Sequence, residues 1–138
     1  MDRIAAERLV HHRNKITKRK GFIMEQEQIV DFVKSFNAVQ RAVHANALKH
    51  GWWEDGREDG TVIALMHSEL SEALEAMRKG NPPDAHCPEF DSVTVELADC
   101  IIRIMDYAGR NNLPVASAVI RKHQHNVDRP YKHGGKKF

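Results

Sequence analysis

Apolar side chains recur at threes and fours between about residues 26 and 50, at Ile29, Phe32, Val33, Phe36, Val39, Val43 and Leu48. That spacing gathers one face of an α-helix. The pattern predicts a long first helix, with Lys49 and His50 complementing its C-terminal dipole and Gly51 placed to stop it. Beyond Trp52 and Trp53 the chain turns polar through residues 54–60. A second helix is predicted from about 61 to 79, closed by Gly80 and the stop Asn81-Pro82-Pro83. A third should run from about 90 to 110, after Pro88 and with an acidic first turn. A fourth should start near Pro114 and reach about 126. No segment alternates as a strand does, so the expected fold class is all-α, with about four core helices.

The first 23 residues do not share this patterning. Ile4, Leu9 and Val10 are followed by a basic run from Lys15 to Lys20, and Met24 stands directly before the first patterned helix, where an alternative start would fall. The expected organisation is therefore a basic extension, 1–23, and one domain, 24–138, long enough to bury a core without disulfides or structural zinc. Cys87 and Cys100 suggest neither a bridge framework nor a metal motif, which points to a reducing, cytoplasmic setting. No apolar run approaches the ~20 residues that span a bilayer. No membrane partner is expected.

Charge is segregated along the chain. Residues 1–23 hold seven basic and two acidic side chains, net +5; residues 121–138 hold six and one, again +5; the middle holds eight and sixteen, net −8. Basic ends can bind nucleic acid, but a middle this acidic repels a phosphate backbone unless cations intervene. Nucleic acid is accordingly the lesser expectation.

The acidic residues of the second and third helices are patterned. Met66, Leu70, Ala73, Leu74 and Met77 centre the apolar face of the second helix, and Glu69 and Glu72 fall on its flank, three residues apart and half-buried. Apolar residues from Val93 to Ala108 cover most of the third helix, which should be the central one. Its remaining stripe holds Glu96, Asp99, Arg103 and Asp106. If the two stripes face each other, four carboxylates converge and repel by several kcal/mol in a partly dry site. A divalent cation relieves that repulsion, and an all-oxygen donor set suits Mg²⁺ first and Mn²⁺ next. Arg103 or Arg78 could instead neutralise the acids without metal. His67 should point to the surface.

Glu69-x-x-Glu72, followed after 23 residues by Glu96-Leu97-Ala98-Asp99, resembles the E-x-x-E and E-x-x-D signature of MazG-like nucleotide pyrophosphohydrolases. Lys122, Asn126 and Arg129 resemble that family's phosphate-handling trio, and Arg129-Pro-Tyr-Lys-His-Gly-Gly-Lys-Lys resembles a tail common in its phage and bacterial members. The likeness spans about residues 28–138. Ser68 stands where many relatives carry a further glutamate. The resemblance implies an all-α bundle completed by oligomerisation, as a homodimer or homotetramer. It also implies hydrolysis of a (deoxy)nucleoside triphosphate to monophosphate and pyrophosphate, with Glu69, Glu72, Glu96 and Asp99 as metal and catalytic residues. Lys122 and Arg129 would meet phosphates, and Asn126 the sugar or phosphate. Trp52 and Trp53 suit either base stacking or packing after a helix cap. A non-catalytic nucleotide-sensing or nucleic-acid-binding helical module is the alternative.

Overall fold

The computed structural model describes residues 24–127 and Arg129. The basic extension 1–23 and the tail from Pro130 lie outside the described residues. Four helices follow in order: α1 Gln26–Lys49, α2 Asp59–Arg78, α3 Ser92–Arg110 and α4 Val115–Val127. Among the described residues no strand forms; an isolated bridge pairs Pro83 with Asp91 in the α2–α3 connection. The all-α expectation holds. No described helix is long and apolar enough to cross a membrane.

Helix ends follow their local chemistry. At the end of α1, Gly51 takes φ 73°, its N–H bonds Leu48 O, and Trp52 N–H bonds Ala47 O. This is a left-handed backbone cap that satisfies the last carbonyls. The same device recurs at Gly80, φ 83°, with Asn81 N–H on Ala76 O, and at Asn112, φ 52°, with Leu113 N–H on Ala108 O. The third helix starts later than its pattern suggested, because the Asp91 carboxylate accepts the Thr94 N–H at 2.8 Å and acts as N-cap. Its first turn therefore carries no acidic side chain, contrary to expectation.

The chain divides into two compact units, Phe36–Val115 and the residues on either side of it. In the outer unit Ala116 and Ile120 are buried on one face of α4, and Ile29, Phe32 and Val33 of α1 are half-buried. The inner unit holds the antiparallel pair α2 and α3, joined by the second half of α1. Its core is small: Ala47, Trp53 and Val62 are buried together, with Met66 and Tyr107 packed against them. Gly109 lets α1 approach α3 closely, since a Cβ there would lie 2.7 Å from His44 Cβ.

Three readings of the apolar pattern need correction. On α1, Val39 and Leu48 are exposed, whereas Gln40 and Ala47 are buried. On α2 the face turned inward is Val62, Glu69, Ala73 and Ala76, while Leu70, Leu74 and Met77 are 46–62% exposed. Alanines permit close helix approach, so the smallest apolar residues, not the largest, define the contact with α3. Nor does α3 lie enclosed in the chain: Leu97, Ile101 and Ile102 are also exposed.

Candidate functional site

The rotation of α2 onto its alanine stripe carries Glu69 inward. Expected to be half-buried, it is only 4% exposed. Glu72, one turn on, is exposed, and Glu96 on α3 is half-buried. Ligand oxygens of these three carboxylates can lie within 4.8 Å of one another. Asp99, half-buried one turn further along α3, is not within that group of three but sits in the same field. Three of the four carboxylates named by sequence thus come together, and the fourth lies in their field.

The electrostatics show how poorly this charge is compensated. Burial, then the charges of Glu72, Glu69, Asp99 and Asp84, raises the Glu96 carboxyl above its ordinary range. Burial and then Glu69 raise Asp99, opposed by Arg103, with Asp84 adding to the rise. The compensating cation is Arg103, whose Nε donates to Glu69 Oε1. Arg78 pairs instead with Glu75 on its own helix at 3.6 Å. Of the two arginines weighed from sequence, Arg103 is the one at the cluster.

Sequence reasoning missed Asp84. It lies in the α2–α3 connection, where its Oδ1 accepts the N–H groups of His86 and Cys87, each at 2.8 Å. Those bonds, Cys87 first, hold its carboxyl below the ordinary range. Asp84 thus adds the charge of a loop carboxylate to the field at Glu96 and Asp99, while the Ser68 hydroxyl donates to Leu65 O. An aspartate preceding a turn after Pro-Pro reads as local turn chemistry, and nothing in its spacing tied it to the helices. Such an oxygen-rich, excess-negative donor set fits a hard divalent cation.

Beside the cluster lies a cavity of about 300 Å³. Trp52 and Trp53 line it, with Asn46, Arg57, Arg103 and Asp106 as its polar contributors. The two tryptophans differ in their surroundings. Trp53 is buried, its indole N–H donating to both Asp106 oxygens at 3.0 and 3.1 Å, with Arg110 stacked 4.8 Å from the ring centre. His44 Nδ1 donates to the same Asp106 at 2.7 Å. Trp52 remains exposed at the cavity. His67 is exposed, as expected, and Cys87 and Cys100 are free thiols.

Lys122 and Asn126 are exposed on α4, and Arg129 is exposed just beyond it, its N–H on Asn126 O at 3.2 Å. These three belong to the outer unit. Set against known families, curated proteins and solved structures, the chain matches no family model, no curated protein and no solved structure.

Proposed function

We propose that the chain is a MazG-like nucleotide pyrophosphohydrolase that uses Mg²⁺ or Mn²⁺ to convert a (deoxy)nucleoside triphosphate to the monophosphate and pyrophosphate. The observation that carries this is the convergence of Glu69, Glu72 and Glu96, whose ligand oxygens lie within 4.8 Å of one another, with Asp99 in the same field. One arginine against four acids leaves charge that a divalent cation would complete. When bound, such an ion supplies electrostatic relief, a bridge to phosphate oxygens and a water of lowered pKa. Glu69, Glu72, Glu96 and Asp99 would hold it, and Glu69 or Glu72 would orient the attacking water. Trp52 offers a stacking face for the base, while Trp53 is committed to Asp106 and forms the wall behind it. Lys122, Asn126 and Arg129 keep the phosphate and sugar roles that the family resemblance gives them.

The exposed stripe of Leu70, Leu74 and Met77 on α2, continued by Leu97 and Ile101 on α3, supports pairing with a second copy. We place this protein in the cytoplasm with nucleotide-pool metabolism as its setting.

The test is pyrophosphate release from a panel of nucleoside triphosphates with Mg²⁺ or Mn²⁺. Glu69→Ala and Asp99→Ala should each lose turnover by at least about a hundredfold. Full turnover in either variant defeats the assignment.

The Arg103–Glu69 pair favours one competing reading, in which the acids form a metal-free structural network in a helical module that senses nucleotides or grips nucleic acid. That module would show saturable nucleotide-induced thermal stabilisation without product, or steeply salt-dependent nucleic-acid affinity lost on deleting residues 1–23.

A further inference from the structure

Arg103 occupies a singular position in the inner unit. Among the described residues it is the side chain that both touches the carboxylate cluster and lines the tryptophan cavity. A guanidinium carries five N–H donors in a rigid fork. The bond to Glu69 uses Nε, and among the described residues no hydrogen bond engages the two terminal nitrogens. The side chain is half-buried, so a charge-assisted bond made there is less screened than one at the surface.

Geometry limits how a nucleotide could use this place. A cavity of about 300 Å³ is too small for a whole nucleoside triphosphate, so the phosphate chain of a nucleotide whose base lies there extends outside it. Arg103 lines that cavity and is bonded to Glu69, so its guanidinium spans from the cavity to the cluster. Arg57 also lines the cavity but forms no ion pair with the carboxylates among the described residues.

We propose that Arg103 is a positioning residue joining the two halves of the site: its Nε holds the Glu69 carboxylate in place, and its terminal nitrogens take a phosphate oxygen of a nucleotide whose base lies in the Trp52–Trp53 cavity. This rests on the nucleotide reading above. It assigns to Arg103 a part that simple neutralisation of the acids would not require.

The chain has two tryptophans, both lining this cavity, so intrinsic fluorescence reports on it directly. Titrations with a nucleoside and with a non-hydrolysable triphosphate analogue should show that the wild-type protein prefers the triphosphate. In Arg103→Met that preference should shrink about tenfold, while Arg78→Met, whose partner is Glu75 on its own helix, retains it. Mn²⁺ affinity without nucleotide, read by calorimetry, should fall about tenfold or more in Arg103→Met, because Glu69 loses the partner that orients it. Arg103→Lys supplies a point charge in place of a fork and should lose at least one of the two effects; it carries the test if the Met variant does not fold. Undiminished triphosphate preference in Arg103→Met, or in Arg103→Lys both effects intact, overturns the proposal. So does tighter Mn²⁺ binding in Arg103→Met, which would make Arg103 a mere counter-charge. If the wild-type protein itself neither binds Mn²⁺ nor responds to any nucleotide, the nucleotide reading falls and this inference with it.

Discussion

Asp99 and Asp106 stand two turns apart on one stripe of α3, yet their surroundings are opposite. Asp106 is 8% exposed and accepts hydrogen bonds from His44 and from Trp53. Its charge is met by donors that nothing else needs to supply. Asp99 is raised first by burial and then by Glu69, with Asp84 adding to the rise, and the Arg103 that opposes them is already bonded to Glu69. The contrast separates two uses of a buried acid. A carboxylate surrounded by its own donors holds the fold together, whereas one surrounded by other carboxylates costs stability until a ligand arrives.

Breaking the first environment should have the largest effect. Asp106→Ala strands the Trp53 and His44 donors and should lower unfolding free energy by about 3–5 kcal/mol, measured by urea denaturation. A loss below about 1 kcal/mol would mean that this network is not what fixes α1 and α3. Next comes Gly109→Ala, which drives a methyl into His44 and should cost roughly 1–3 kcal/mol in the same measurement. The second environment should respond with the opposite sign. Glu96→Gln removes a repelling charge, so the metal-free protein should melt higher, on the order of 2 °C, while the stabilisation by Mg²⁺ disappears. A lower melting point in that variant would place Glu96 among the structural acids.

The smallest effect sharpens the contrast through pH. Glu96 and Asp99 are raised, so the folded chain keeps protons that the unfolded chain releases. Metal-free stability should therefore increase as pH falls toward the ordinary carboxylate range. Asp84 and Asp91 are lowered by backbone N–H groups, and the stability they contribute is lost only at more acidic pH. Thermal melts across this range should rise and then fall. With saturating Mg²⁺ the initial rise should flatten, and in Glu96→Gln it should shrink; a monotonic fall in the metal-free protein would contradict the assignment.

The four helices were legible because their apolar spacing and their Gly, Asn and Pro punctuation agree, and three of them close on the expected residues. The identity of the inward faces was not. Periodicity weights leucine and methionine heavily, but Ala73 and Ala76 decide how α2 meets α3, and only that rotation puts Glu69 inside. The i, i+3 acid pairs were readable as local spacing. Asp84 was invisible because its electrostatic link to Glu96 and Asp99 joins a loop to a helix and leaves no mark in local spacing. The Trp53–Asp106 bond likewise joins residues 53 positions apart, and no short-range pattern announces it.

The backbone closures at Gly51, Gly80 and Asn112 set a strict phase for the molecule. Each extra residue inside a helix turns everything beyond it by about 100°, so a single insertion in α2 between Glu72 and Ala73 would swing either its carboxylates or its alanine seam out of place. The connection at 54–58 carries no such constraint. Length variation among descendants of this chain should accordingly accumulate there and spare the helices, leaving the acid spacing as the part of the sequence least free to drift.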